Sequence, residues 1–181
     1  MKIAFTGTSS TGKTTTALRL EHSGILSRLG LRLLRPPDTR RGLRKKVSAL
    51  SDTAKIDFQS QRFNDKIGLE ANGDNFLVER SFVDLLAYRY LIAPSPSNDE
   101  IAQHINLAKN YSLHFFFPYG VIPYEEDGFR PDEEYSMQIS TKIQKIMDFY
   151  KIPYISLKNP SLESRCDIIS TEILKFKQSL E

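Results

Sequence analysis

Residues Phe5 to Leu20 read FTGTSSTGKTTTALRL, and within them Gly7 to Thr14 spell Gly-x-x-x-x-Gly-Lys-Thr. Gly7 and Gly12 permit backbone conformations that a side chain would obstruct, so successive N–H groups across Ser9, Ser10 and Thr11 turn inward. A helix opening near Lys13 aims its positive end at the same place. These are the features of a phosphate cradle. The motif predicts that Lys13 reaches the β- and γ-phosphates of a nucleotide and that the Thr14 hydroxyl ligates Mg²⁺, with Thr15 a further candidate for nucleotide binding. The β-prone run Lys2–Thr6 comes directly before it, so the order is strand, loop, helix.

Working outward from the loop, strand and helix signals alternate. Leu29–Leu34 reads as a second strand, halted by Pro36-Pro37, since neither proline donates to a ladder. Ile56, Phe63, Ile67 and Ala71 recur at spacings of seven, four and four and predict one face of a helix. Asn75–Val78 predicts a buried strand ending at Glu79, and Phe82–Ile92, apolar on most sides, predicts a helix sandwiched inside the fold. Pro94 and Pro96 end it, Ser97 with Glu100 opens another helix as a capping box, and Leu113–Phe117 is the next strand. Tyr135, Ile139, Ile143, Ile146 and Phe149 mark a long helix, Ile152–Leu157 the last strand, and Leu162, Cys166, Ile169, Ile173, Phe176 and Leu180 a terminal helix. Strands near residues 2, 30, 76, 114 and 154 alternating with helices predict an α/β three-layer sandwich, a five-stranded parallel sheet with helices on both faces.

The 181 residues suffice for one sizeable core, so one domain over residues 1–181 is expected. The single cysteine, Cys166, excludes an intramolecular disulfide framework and lies on the apolar stripe of the last helix. No apolar run approaches the roughly 18 residues of a membrane span, and Met1–Thr6 leads into the loop without a signal-peptide pattern; a cytoplasmic protein is expected. His22, His104 and His114 lack metal-ligand spacing.

The net charge of +3 is unevenly spread. Arg28, Arg32, Arg35, Arg40, Arg41, Arg44, Lys45 and Lys46 face one acid, Asp38, within nineteen residues, while the rest of the chain carries 17 basic and 21 acidic residues. A net +7 segment on a body of about −4 suits a polyanionic ligand, or else a solvated surface loop.

The type of phosphate chemistry is narrowed by elimination. A signalling GTPase needs a guanine-reading Asn-Lys-x-Asp, which the sequence lacks. A motor ATPase or helicase places Asp-Glu at a strand end, whereas here the third strand ends NFLVERS, with Arg80 where those machines carry an acid. Glu79 is placed to hold a metal or position an acceptor hydroxyl, and Arg80 to neutralise a transferring group; a simple strand-end ion pair is the plainer alternative.

With these pieces assembled, the sequence resembles the P-loop nucleoside and nucleotide kinases. GTSSTGKT is similar to their Walker A loop, and VERSFVDLLAYRYL (Val78–Leu91) resembles the Glu-Arg-Ser or Asp-Arg-Ser stretch of deoxynucleoside kinases and nicotinamide-riboside-kinase-like ATPases. EEDGFRPDEEY (Glu125–Tyr135) resembles their lid, within a lid region of about 119–135. The resemblance implies ATP and Mg²⁺ as cofactors, Lys13 on the β- and γ-phosphates, Thr14 and Glu79 on the metal, Arg80 on acceptor or phosphate, and Arg130 in the lid. By position it also implies that Asn159, in Asn159-Pro160-Ser161, lies where such kinases wrap the adenine. The sequence departs from the family beyond the second strand. In place of Glu-x-x-Arg it has RPPDTRR, so Asp38 is the candidate base, or a turn residue after Pro37, with Arg40 or Arg41 as companion.

The acceptor side of such kinases follows the second strand, which is where the basic segment lies. Arg35, Arg40, Arg41 and Arg44 are therefore candidate acceptor-binding residues. A nucleotide needs two or three cations, a nucleic-acid strand a stripe of them. Phe58, Phe63, Phe82 and Tyr88 are available for stacking but sit at helical, core-like spacing. A phage subgroup of these kinases phosphorylates hydroxymethyluracil within DNA, and the compact chain and basic acceptor side are compatible with it; the corresponding location is the host cytoplasm. The expected activity is transfer of the ATP γ-phosphate to a hydroxyl of a nucleoside-type acceptor, either a free nucleoside or nucleotide or a hydroxymethylated pyrimidine in DNA. The alternative is a non-catalytic ATP-binding module that binds nucleic acid, against which Glu79, Arg80 and Arg130 speak.

Overall fold

The computed structural model describes residues 1–35, 50–71, 73–124 and 133–180. Its elements run β1 (Lys2–Thr6), α1 (Lys13–His22), α2 (Ile25–Arg28), β2 (Arg32–Leu34), α3 (Asp52–Glu70), β3 (Phe76–Glu79), α4 (Phe82–Arg89), α5 (Asn98–Ala108), β4 (Leu113–Phe116), α6 (Glu133–Phe149), β5 (Ile155–Ser156) and α7 (Leu162–Gln178). The strands form one five-stranded sheet in the order β2-β3-β1-β4-β5, every pairing parallel.

Two hydrophobic clusters show how the sheet is covered. Ala4, Phe76, Val78 and Phe116 point to a layer built from α4, α5 and α6, with Leu86, Ile105, Ile139 and Ile143 among its buried residues. Ile3, Phe5, Leu77 and Phe115 point the other way, onto Ala17, Leu20, Cys166, Ile169 and Ile173 of α1 and α7. The period-two alternation of the strands thus divides their side chains between two cores, and both sheet faces are dry. α4 fits its sandwiched reading, being buried at every position from Phe82 to Ala87.

The order places β1 beside β3, although the chain leaves them in opposite directions. After β1 it crosses through α1 toward β2 at one edge, and after β3 it crosses through α4 and α5 to β4 on the far side of β1. The carboxyl ends of β1 and β3 therefore flank a topological switch point, where open α/β sheets hold their ligands. In the register, Phe5 pairs with Glu79, so the glycine loop after β1 emerges next to the end of β3.

The elements differ from the sequence reading in specific ways. β2 spans only Arg32–Leu34, because Leu29 and Leu31 close the turn after the unanticipated short helix α2. β5 is two residues long, α4 stops at Arg89, and α6 begins at Glu133. The stripe read on α3 matches its packed face only in part: Phe63 packs against the core, but Ile67 is 41% exposed, and Phe58, Gln59 and Lys66 are buried instead. Phe149, the last step of the α6 stripe, is 75% exposed, and Met147 is buried instead.

Candidate active site

The glycine loop takes its shape from two glycines and one carboxylate. Gly7 has φ 148°, and a Cβ there would lie 2.6 Å from the Phe117 carbonyl oxygen, so only glycine fits between the ends of β1 and β4. Its N–H donates to Asp84 Oδ1 at 2.8 Å. Asp84 is fully buried in the first turn of α4, where Oδ2 accepts from the Ser81 N–H at 2.7 Å and from the Ser81 hydroxyl at 3.0 Å. The Ser81 hydroxyl in turn accepts from the Val83 N–H, completing a capping box. One carboxylate thus fastens the start of the loop to the helix that follows β3.

Gly12, at φ 79°, heads α1 without a side-chain cap. The first intrahelical bond runs from Thr16 N–H to Gly12 C=O, so the N–H groups of Lys13, Thr14 and Thr15 belong to the turn that lacks intrahelical acceptors. Lys13 is buried, and its Nζ donates to the Thr8 carbonyl and, at 2.9 Å, to Thr11 Oγ1. Burial, reinforced by the charge of Arg80, brings the Lys13 ammonium down to about 8. Thr11 Oγ1 donates to the Thr8 carbonyl at 3.0 Å, Ser10 adopts φ 53°, and Thr15 is exposed.

Across the seam, Thr14 Oγ1 donates to Glu79 Oε2 at 2.7 Å. A hydroxyl and a carboxylate, both hard oxygen donors, stand together at the mouth of the loop. Such a pair suits Mg²⁺, which takes one or two protein oxygens and completes its shell with water and substrate phosphates. Among the described residues no cluster of three or more His, Cys, Asp or Glu side chains could hold a metal on its own, so an ion at this point would depend on phosphate oxygens.

Arg80 follows Glu79 with φ 67°, a conformation costing about 1–3 kcal/mol for a non-glycine residue and therefore held in place by its surroundings. Its N–H donates to the Phe5 carbonyl at 2.7 Å, and its own carbonyl accepts from Lys66 Nζ at 2.5 Å. The turn aims the side chain at the loop. Nη2 donates to Ser9 Oγ at 3.3 Å, Nη1 donates to Tyr88 OH at 3.2 Å, and the guanidinium lies 5.2 Å from the Tyr88 ring centroid. Burial pushes the Tyr88 hydroxyl up, but the Arg80 charge and hydrogen bonds from Ser9 and Arg80 outweigh it and bring the phenol down to about 7.

Lys13, Thr14, Glu79, Arg80 and Ser9 are therefore brought together where the carboxyl ends of the paired strands β1 and β3 lie side by side. The other candidates stand apart from this group. Arg35 pairs with Glu21 of α1. Asn159 Oδ1 accepts from the Ser161 N–H at 2.9 Å, ahead of α7, for which Ser161 is the N-cap. Asp38, Arg40, Arg41, Arg44 and Arg130 lie outside the described residues.

Sequence reasoning missed three residues. Asp84 carried a usable signal, because Ser81-Phe-Val-Asp84 has the spacing of a capping box. Lys66 carried none: it is only 7% exposed, pairs with Glu70 at 2.6 Å and lies over the rings of Phe82 and Tyr111, and nothing in the α3 pattern separates it from a surface lysine. Arg165, buried in the first turn of α7 against Gly12, likewise reads as surface until the helix is docked.

A family model described as an AAA domain matches residues 2–165. No curated protein matches the chain. Among solved structures, deoxyadenosine kinase from M. mycoides with products dCMP and a flexible dCDP bound superposes with a TM-score of 0.70 at 13% identity, covering 97% of this chain and 99% of the other. Thymidylate kinase from Ehrlichia chaffeensis gives 0.59 at 16% identity, covering 98% of each chain. YorR protein from Bacillus subtilis, in complex with phosphorylated GDP, gives 0.60 at 13% identity, covering 98% of this chain and 96% of the other. The chain belongs to the AAA domain family, and its fold is the P-loop fold of these nucleoside and nucleotide kinases.

Proposed function

We propose that the protein is an ATP- and Mg²⁺-dependent kinase that transfers a γ-phosphate to the hydroxyl of a nucleoside-type acceptor. The observation that carries this reading is the Thr14–Glu79 hydrogen bond, flanked by Lys13 and Arg80: two metal-compatible oxygens and two cations meet at one phosphate cradle. Thr14 and Glu79 would hold Mg²⁺, which would supply neutralisation of the donor's phosphate charge. Lys13 contributes a point charge to the same oxygens, and the first-turn N–H groups of α1 supply oriented dipoles. Arg80, preset by its backbone and by Ser9, stabilises the charge on the transferring group. In the reaction the acceptor oxygen forms a bond to the γ-phosphorus, the bond to the β–γ bridging oxygen breaks, and ADP leaves; Asp38 is the proposed recipient of the acceptor proton, with Arg130 closing from the lid.

For the acceptor, the reading keeps to a hydroxyl on a free nucleoside or nucleotide, or on a hydroxymethylated pyrimidine in DNA, the second favoured by the eight cations between Arg28 and Lys46. The test is incubation with γ-labelled ATP and Mg²⁺ against free nucleosides and nucleotides in one panel and normal or hydroxymethylated DNA in the other. Label in an acceptor, lost in Lys13→Ala, is the expected result. ATP binding without label in any acceptor would replace the kinase by a nucleotide-binding module. If DNA is the acceptor, charge reversal at Arg40, Arg41 and Arg44 weakens DNA binding and flattens its salt dependence; unchanged affinity removes DNA from the reading.

A further inference from the structure

Arg165 projects from the first turn of α7 with only 4% of its surface exposed. Its guanidinium packs on the second glycine of the loop: a Cβ on Gly12 would lie 2.8 Å from Nη1 and 3.1 Å from Nη2, with Ile122 Cδ1 also at 3.1 Å. Nε is buried and has no hydrogen-bond partner among the described residues. No described carboxylate pairs with the side chain, and burial alone works against its charge. An arginine stays protonated even so, and a buried guanidinium whose Nε finds no acceptor and whose charge finds no carboxylate among the described residues is costly. The other arginine buried among the described residues is treated differently: Arg89 has Glu100 and the carbonyls of Ile92 and Pro94.

The anion that would relieve Arg165 has a place beside it. Gly12 is the N-cap of α1, so the guanidinium stands at the positive end of that helix, where like charge is unfavourable unless an anion lies between. Resting on the reading of the loop as a nucleotide cradle, we propose that Arg165 is a ligand for the polyphosphate of the donor nucleotide, reaching it at the Gly12 end of the loop as Arg80 does at the Ser9 end. The ligand class is a nucleoside di- or triphosphate. The residue lies outside the glycine motif, more than 150 positions along the chain, and the docking of α7 on α1 delivers it.

The test compares Arg165→Met and Arg165→Lys with wild type and with Lys13→Ala. It reads calorimetric affinity for ATP and ADP with Mg²⁺, competition by adenosine, and thermal denaturation without nucleotide. Arg165→Met is expected to lose about tenfold or more in affinity for ATP and ADP, to bind adenosine unchanged, and to melt no lower than wild type because an uncompensated charge has gone; Arg165→Lys retains most of the affinity. A variant that binds ATP as wild type does, or that loses ATP and adenosine affinity equally, overturns the assignment, as does a lowered melting temperature with affinity intact. Binding lost in Lys13→Ala but kept in Arg165→Met overturns this proposal alone. Absence of ATP binding by the wild-type protein overturns the cradle reading and this one with it.

Discussion

Replacing Asp84 by asparagine exchanges one oxygen of a fully buried side chain for an amide nitrogen and leaves its volume almost unchanged. Three donors converge on the native carboxylate: the Gly7 N–H on Oδ1, and the Ser81 N–H and hydroxyl on Oδ2. Asparagine offers a single acceptor oxygen. Directed at Ser81, it keeps the capping bonds and turns its NH₂ toward the Gly7 N–H, donor against donor; directed at Gly7, it abandons the cap. A hydrogen bond to a charged group is worth about 1.5–3 kcal/mol, and stranding a buried donor costs about 1–3 kcal/mol. With partial relaxation, Asp84→Asn destabilises the protein by about 2–4 kcal/mol. At roughly 2–4 °C per kcal/mol for a chain of this size, the melting temperature falls by about 4–16 °C. Urea denaturation should show the midpoint moving with an unchanged slope, and ATP affinity should fall with it, because Gly7 is the first residue of the cradle. An asparagine variant within about 0.5 kcal/mol of wild type refutes the three-donor account, since that is the range of a surface substitution.

Gly7→Ala should be more damaging than Gly12→Ala. The added methyl meets a backbone carbonyl at Gly7 but the movable end of Arg165 at Gly12, so paired urea midpoints should rank the two in that order. Tyr88, brought down to about 7 against an ordinary 10.0, should give a phenolate absorbance step near neutral pH that is absent in Tyr88→Phe and moved upward in Arg80→Met. Its contribution to stability is present in full above pH 10 and is lost as pH falls through about 7, because the unfolded chain binds the extra proton in that window. For Lys13 the window runs from about 8 to 10.5: the unfolded state holds the proton there, so the unfavourable contribution of the buried ammonium is complete below 8 and relieved above it. Lys13→Met should therefore be more stable than wild type at pH 7, with the gap narrowing toward pH 10 in urea titrations.

What the sequence made legible follows from how locally each signal is encoded. The cradle lies within eight consecutive residues, and the order of strands is written in apolar runs bounded by glycine and proline, so both were readable without tertiary information. The α3 face was misread in part for a physical reason. Lys66 is buried because Glu70, the rings of Phe82 and Tyr111 and the Arg80 carbonyl together receive its ammonium, and apart from Glu70 on the same helix those partners come from α4, the residue after β3 and the stretch before β4. Tyr111 also donates to Glu70 at 2.6 Å, so the pair is satisfied on both sides. A polar residue that is solvated by distant parts of the chain breaks the apolar period and hides the true face. Arg165 is hidden in the same way, since its surroundings exist only after α7 docks on α1.

The register of β1 against β3 links the hydrophobic core to the chemistry of the site. Ile3 and Phe5 belong to one core and Ala4 to the other, while Leu77 opposes Phe76 and Val78 in the same sense. Sliding β1 by one residue would exchange those faces, driving the Phe5 ring, which lies 4.9 Å from Phe117, into the layer that now receives Ala4. The two dry faces therefore exclude every slip by an odd number of residues, and the register adopted pairs Phe5 with Glu79. From that pairing the rest follows by short covalent reach: the Arg80 N–H finds the Phe5 carbonyl, the Gly7 N–H finds Asp84, and Thr14 comes within 2.7 Å of Glu79. A substitution that loosens the β1 core, such as Phe5→Ala, costs roughly 3–5 kcal/mol through its cavity, and it also acts on the carboxylate and hydroxyl at the mouth of the loop. Packing at residues that touch no phosphate thus fixes the spacing of those that do.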